Sequence, residues 1–533
     1  MYDYIVVGAG SSGCAFAARL ANLLPNIRIA LIESGEDYLA SPTEDFSIPE
    51  RFPVTWDGPA NKGYRTVPQT ALNGRQISIF RAAAVGGCSV VNAMIWMRGF
   101  QEDWDEHMPA GFKAKDVERE FEWLEERLKP VTYEGNFLGE RGIRAAESLG
   151  YKKKAKESLW ESPGTSSTLR MALDEEGRRQ DVYRTLGADD SRITLLRGIA
   201  ERIIFEHSAK GTIYASGVML RTKDGSSKEI LIKDKGEVIV SCGAIDSPKL
   251  LQISGVGPKR LMNELDIPLV LDSPVGEGLK DHVMYVLGYE TPTLPEKLSP
   301  NSINGVLYDE SLDVQFLFCD GKTAPHHAAL GLVEPCYEKI PATTLVGKLK
   351  DNVVLFGMTM LAFILRTMSA SIPSVRTKIQ TSFRVLVNLM KPSSVGSVMI
   401  RSRNPMDAPI IDTAFLSKKC DMDTMIKGVM KARELVKTSP LSEVVGKELT
   451  PPAQGRDDER ENIQKASMPY HHSTGTCSSC LDDQLRVKGI DRLRVADASS
   501  LPFHPRVPTN ASSMAVGARC ASLIANSREE MDF

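Results

Sequence analysis

Two short stretches combine residue types that can do chemistry. The first is Tyr470-His471-His472-Ser473-Thr474-Gly475-Thr476-Cys477, two histidines ahead of a Gly-Thr turn. An imidazole with an unperturbed pKa of about 6.5 can take a proton near neutrality. On a strand, neighbours face opposite sides, so one of the pair can point into a given pocket. The residue types alone leave open which one it is, and also allow two satisfied core histidines. The second stretch is Gly8-Ala9-Gly10-Ser11-Ser12-Gly13, with Glu33 following 20 residues past Gly13. In such a turn the first glycine permits the tight bend and the second lets backbone approach a pyrophosphate. The third lets a helix pack closely on the preceding strand. Glu33 can accept hydrogen bonds from ribose hydroxyls. The competing reading is a glycine-rich turn without a ligand.

The elements that must position these residues are legible nearby. Tyr4 to Val7 is a β-branched run suited to a buried parallel strand. Cys14 to Leu23 is an alanine-rich helix pattern, and Ile27 to Ile32 supplies a second strand ending at Glu33. The helix N-terminus offers unpaired N–H groups and partial positive charge to phosphates. Strand, glycine turn, helix, strand and acid together predict dinucleotide binding, and a glutamate after a strand starting at residue 3 or 4 resembles flavoproteins. Further on, Asn73-Gly74-Arg75 reads as a turn before Ile77 to Phe80. It is followed by Gly86-Gly87-Cys88-Ser89-Val90-Val91-Asn92-Ala93-Met94. Paired glycines bring N–H groups close to a flat ring or a phosphate. Asn92 carries a donor and an acceptor, as a flavin edge requires. A structural loop between domains is the alternative. Val238 to Val240 reads as a buried strand ending in Gly243-Ala244, with a helix beginning near Ser247-Pro248, where proline suits a first turn. Near the end, Val516 to Ala521 starts a terminal helix.

These strings together resemble the glucose-methanol-choline (GMC) flavin oxidoreductases. Gly86, Gly87, Ser89, Asn92, Met94, Arg98 and Gly99 fit the first family signature. Gly243-Ala244 through Ser247-Pro248 to Gly255-Val256-Gly257-Pro258 fits the second. Pro274 to His282 resembles a further segment ending in Asp281-His282. Asp313 to Phe316, Lys391 to Ser417, and Leu493-Arg494-Val495-Ala496-Asp497-Ala498-Ser499 extend the likeness over about residues 3 to 525. The resemblance implies an α/β chain: a Rossmann-like FAD-binding domain interleaved with an α+β substrate domain built on a mixed or antiparallel sheet. It selects His472 as the residue that handles the substrate hydroxyl proton. It implies cofactor contacts at Gly8, Gly10, Ser11, Ser12, Gly13, Glu33 and Ser34. Further contacts fall at Val85, Gly86, Gly87, Asn92, Ala93, Met94 and Ile95, and at Ala200, Ala244, Asp497 and Ala498. Asp497 is expected to order backbone, since a carboxylate and a phosphate repel. The implied function is FAD-dependent oxidation of a small-molecule alcohol by hydride transfer. A lyase or cyclase resembling hydroxynitrile lyases is the alternative on the same scaffold, and a photodecarboxylase or a non-catalytic flavin binder are further ones.

The chain departs from the family in places. An Arg-Gly-Lys usually precedes the double glycine, whereas Arg81-Ala82-Ala83 stands here, so a cation beside the cofactor is expected to be missing. The regions 150–190 and 288–312 are short. The family's second catalytic His or Asn falls on Pro508, which leaves Asn510 as the nearest amide and the expected partner of His472. Val91 stands where some members attach flavin through a histidine, so FAD is expected to be non-covalent.

Composition excludes several classes. Of 533 residues, 65 are Lys or Arg and 68 are Asp or Glu, so no basic field is available for nucleic acid. The longest apolar run, Val353 to Leu365, is 13 residues, and reads as a buried strand or helix rather than a span of about 20. No signal peptide is read at the N-terminus and no peroxisomal address at the C-terminus. Nine sparse cysteines, with one CxxC at Cys477 and Cys480, predict no metal site and free thiols in a cytoplasmic protein. The flavin domain is expected over 1–150, 190–285 and 460–533, and the substrate domain over 150–190 and 286–459. The oligomeric state is not legible.

Overall fold

The fold was read from a computed structural model that describes residues 1–40, 46–56, 58–154, 160–166, 168–291, 300–320, 382–450 and 455–532. The apolar run Val353 to Leu365 lies outside the described residues. Among those described, no helix is long and apolar enough to cross a membrane.

The chain opens with β1 (Tyr2–Val7), α1 (Ser11–Leu23) and β2 (Ile29–Glu33). β1 pairs in parallel with β2 on one side and with the strand Ser227–Val240 on the other. Ile193–Arg197 and Leu493–Val495 add further parallel strands, while Ile213–Arg221 and Ile199–His207 extend the sheet antiparallel. The central strands are covered on both faces, which is why they read as continuous apolar runs. Ile5, Val6, Ala30, Leu31, Val238, Ile239 and Val240 are all fully buried. α1 lies against the terminal helix, and both present small residues there, among them Ala15, Ala17, Ala515 and Ala518.

A second sheet runs in the order Met468–Pro469, Val283–Glu290, Ser382–Leu389, Val314–Asp320, Ile303–Asp309 and Gly164–Ser166. Every pairing in it is antiparallel. Its strands alternate as a two-faced sheet must. Phe316, Phe318, Phe383, Val385 and Val387 point into one core, covered by the helices Phe137–Ser148 and Lys419–Lys437. Leu317, Cys319, Arg384 and Leu386 face the other way, into a cavity. Phe137–Ser148 falls in the stretch assigned above to the flavin domain, yet Leu138, Ile143, Ala145 and Ala146 belong to the second core. Its amphipathic pattern says that one face is buried, not which sheet covers it. Segment Lys391–Ser417 forms a separate small sheet, in which Gly396–Met399 lies between Glu277–Leu279 and Ile410–Asp412.

Two helices start earlier than expected. α2 (Gly243–Ile253) already includes Ser247-Pro248, so the proline sits inside it. Pro248 has no N–H to offer the Ala244 carbonyl one turn back. Thr476 Oγ1 donates to that carbonyl instead, at 2.7 Å. The terminal helix, α3, runs Thr509–Asp532 rather than starting near Val516.

α1 sits close on β1 because Gly13 has no side chain. A Cβ there would stand 1.9 Å from the Gly8 carbonyl oxygen. Overpacking of this kind typically costs about 1–3 kcal/mol. Gly13→Ala is therefore expected to lower thermal and denaturant midpoints of the apoprotein and to weaken flavin retention. An unchanged midpoint would contradict the packing argument.

Candidate active site

A cavity of about 990 Å³ runs between the two sheets, from the glycine turn at one end to the histidine pair at the other. Gly8, Gly10, Ser11, Ser12, Glu33 and Ser34 line its first end, with Gly87, Ala200, Ala244, Asp497 and Ala498 around them. Asn92, Ala93, Met94, Ile95 and His472 line it further along, and Asn510 also borders it. Three expected residues stand behind the wall. Gly13 packs on Gly8, Gly86 N–H donates to the Ala9 carbonyl, and Val85 N–H donates to that of Glu36.

The first end suits a diphosphate-bearing group. α1 begins at Ser11 with no side-chain cap, so its first N–H groups are left for an anion. Glu33 is held by N–H bonds from Ala9 at 3.1 Å and Gly35 at 2.7 Å. Burial raises its carboxyl pKa, and Lys62 and these N–H groups oppose the rise. Asp497 accepts from Gly243 N at 2.7 Å and Ser247 Oγ at 2.5 Å, and so ties α2 to the Leu493–Val495 strand. Asn92 is more specialised than its residue type suggested. Its Oδ1 accepts from Met94 N and from Arg179, which leaves its NH₂ as the group available to a ligand.

A cation that the motifs do not predict lines the cavity. Lys62 lines the cavity, and its own N–H donates to the Arg81 carbonyl, beside Ala82 and Ala83 where the lysine is absent. Lys62 Nζ meets Asp246 Oδ2 at 2.9 Å, and Tyr64 donates to Asp246 Oδ1 at 2.6 Å. Burial alone would raise the Asp246 carboxyl and lower the lysine. Their mutual attraction wins, so Asp246 is lowered and Lys62 raised. Neither Lys62 nor Tyr64 stands in a motif, and only the paired loops bring them here.

At the far end, the strand argument about the two histidines does not hold. His471 has a positive φ of 64°, and both histidines line the cavity. Met468 pairs with Met284 and Pro469 with Val283, whereas Thr474 bridges Lys280. Tyr470 to Ser473 thus lie opposite only Asp281 and His282, so the extra residues bulge and alternation is lost. His471 packs edge-on against Trp56 and Phe80, and Arg81 donates to its carbonyl at 3.0 Å. His472 is half-buried, and its Nδ1 lies 2.9 Å from Nδ1 of His282. Asp281 accepts from the His472 N–H and from Ser473 Oγ, both at 2.7 Å. Burial pushes the Asp281 carboxyl up to about 6, with Arg81 and these donors pulling the other way.

Pro508 lines the cavity and Asn510 faces the other end: its Oδ1 accepts from Ser11 Oγ at 2.7 Å, at the start of α1. Apolar and aromatic walls complete the space near His472, from Phe52, Trp56, Phe80, Met284, Leu317, Leu386 and Tyr470. Among the described residues no cluster could hold a metal ion, and the eight described cysteines are free.

Comparison with known proteins agrees with this architecture. Family profiles described as GMC oxidoreductase match residues 2–284 and 392–517. Choline oxidase of Arthrobacter globiformis is 29% identical, over 99% of this chain and 95% of that protein. An alcohol dehydrogenase [acceptor] of Pseudomonas putida is 27% identical, over 98% of this chain and 96% of its own. Among solved structures, pyridoxine 4-oxidase from Mesorbium loti superposes with a TM-score of 0.78 at 21% identity, covering 98% of this chain and 99% of that one. The chain belongs to the GMC oxidoreductase family. It is an FAD-dependent oxidoreductase, with the family's Rossmann-like FAD-binding part and substrate sheet.

Two measurements follow from this geometry. Lys62→Met removes a charge-assisted donor, a group worth about 1.5–3 kcal/mol. Titration of apoprotein with FAD, followed by flavin fluorescence, should then show affinity weakened about tenfold or more, with partial recovery when Asp246→Asn is added. Undiminished affinity would exclude Lys62 as part of the cradle. The second concerns pH. Burial, then the neighbouring His282, His471 and Arg81, hold the His472 pKa well below the ordinary histidine value. Its neutral form therefore persists as pH falls through about 6.5. Anaerobic flavin reduction by substrate should keep its rate through that point and fall only below it. A fall centred at or above 6.5 would contradict this environment.

Proposed function

We propose that the chain oxidises an alcohol CH–OH group at a non-covalently held FAD, with His472 as the base. The observation that carries this is the placement of His472. Its backbone is pinned by Asp281, one ring nitrogen is engaged by His282, and the ring borders the cavity that begins at the dinucleotide cradle. When bound, FAD supplies the hydride acceptor. The residues of this chain supply the rest. His472 takes the hydroxyl proton, so that negative charge develops on the substrate oxygen as its C–H bond weakens. Trp56, Phe80, Leu317, Leu386 and Tyr470 exclude water and favour a substrate with an apolar body. The NH₂ of Asn92 and the uncapped start of α1 hold the cofactor.

Pro508 supplies no polar side chain and no N–H, so it cannot share proton traffic. Asn510 is tied to Ser11, which supports a place in the cofactor cradle rather than beside the substrate hydroxyl. His472 is then the one side chain that this reading assigns to the proton. Val91 borders the cavity and has no group that can bond covalently to flavin, which supports non-covalent binding. The alcohol and choline oxidation named for the relatives supports an alcohol substrate for this chain.

The test is anaerobic mixing of the holoenzyme with a panel of primary and secondary alcohols. Bleaching of the flavin by at least one is expected, whereas a lyase would leave it oxidised. His472→Ala should slow the bleaching about 10²–10⁴-fold with FAD still bound. Normal bleaching by this variant would remove His472 from the reaction. Acid precipitation should release all flavin to the supernatant, and yellow colour left on the pellet would refute non-covalent binding.

A further inference from the structure

We infer that His282 is a positioning residue that fixes the tautomer of His472, holding a proton on Nδ1 of His472 so that Nε2 is left bare toward the cavity. The inference rests on the reading of His472 as the base.

It begins with two ring nitrogens 2.9 Å apart, Nδ1 of His282 and Nδ1 of His472. At that distance one must donate and the other accept, because two lone pairs would repel. His282 is fully buried, and nothing in the reaction requires it to touch substrate. Burial drives its pKa down to about 3, against the pull of the Met390 and Pro505 carbonyls, so it carries one ring proton, not two. Nε2 of His282 is enclosed and has no hydrogen bond of standard geometry. Nδ1 of His472 is committed to His282, so only its Nε2 can serve as the base, and a bare Nε2 puts the single proton of neutral His472 on Nδ1. Nδ1 of His282 is then the acceptor, and His472 must be the donor. The proton count then puts the one ring proton of His282 on its Nε2.

The surroundings hold this arrangement in place. The His504 ring lies 3.8 Å from that of His282, centroid to centroid, and its own Nδ1 lies 2.8 Å from Thr474 Oγ1. Tyr470 lies 4.2 Å from the His472 ring by the same measure. Asp281 holds the backbone of His472 while its neighbour His282 holds the ring. Two consecutive residues thus set both the position and the protonation of the base. A neutral imidazole plays the part that a carboxylate plays in a Ser-His-Asp triad. It differs in carrying no charge, so it orients the base without raising its pKa as an anion would.

The experiment uses holoenzyme with ¹⁵N-labelled histidine and three variants. His472→Ala identifies the His472 ring signals and tests the base assignment itself. In the parent, His472 is expected to show a protonated Nδ1 and a bare Nε2. His282→Leu removes the acceptor, so His472 should lose that signature. Flavin reduction should slow about tenfold or more, as when an orienting partner behind a functional histidine is lost. His282→Asn places a carbonyl oxygen near the lost Nδ1 and should retain both the signature and most of the rate. A parent His472 protonated on Nε2 would overturn the inference. So would His282→Leu reducing flavin at the parent rate while His472→Ala is inactive. Normal reduction by His472→Ala would instead overturn the reading of His472 as the base, together with what rests on it. If His282→Leu does not fold, the parent spectrum and His282→Asn still decide the outcome.

Discussion

The near-contact of two backbones, at Gly10 and Gly87, is the constraint around which the site is arranged. A Cβ on Gly87 would stand 2.6 Å from the Gly10 Cα, so no other residue fits at that position without moving the glycine turn. Gly87 also has a positive φ of 56°, which a side chain disfavours. This approach lays the loop that carries Asn92 over the uncapped start of α1. Ser12 Oγ reaches the Ala496 carbonyl at 2.6 Å and brings in the segment that carries Asp497. Asp497 in turn fixes the start of α2. Segments from four distant parts of the chain therefore meet around one turn, and the cavity is the space they leave.

Charge in that cavity is balanced locally rather than by solvent. Glu33, Asp246 and Asp497 line the same cavity, and each is held by N–H, hydroxyl or ammonium donors. Buried carboxylates without such donors would be expensive, and a phosphate among them more so. Lys62, from outside any motif, supplies the cation paired with Asp246. At the far end the balance is of another kind. His472, His282 and His504 are packed together in a setting that disfavours charge on all three. A histidine that is neutral at rest and borders an apolar space suits the proton-accepting role proposed for His472.

The motifs made the glycine turn, the strand–turn–helix–strand succession that holds it and the family legible, because each depends on local conformation. Gly8 and Gly13 are needed by a turn a few residues long, and β1, α1 and β2 follow directly along the chain. Elements that depend on partners far along the chain were read less well. Pro248 looked like a helix start because the donor that replaces its missing N–H, on Thr476, is more than 200 residues away. Phe137–Ser148 is an amphipathic helix, and such a pattern carries no record of which sheet it covers.

The sequence by itself determined the class of chemistry: a dinucleotide cradle, a histidine near a Gly-Thr turn, and the strings that mark a GMC oxidoreductase. Tertiary structure decided which atoms are available for it. Asn510 stands two residues from the expected partner position, yet its carbonyl oxygen is taken by Ser11. Lys62 stands in no motif, yet its ammonium lines the cavity in a pair with Asp246. His471 and His472 are neighbours, and a bulge, not strand alternation, sets where each ring goes. Asp281-His282 could be matched as a string, but its bond to His472 spans about 190 residues of chain. The physical reason is common to all of these. Backbone conformation is set by neighbours along the chain, whereas hydrogen-bond partners and buried charge are set by what folding brings alongside.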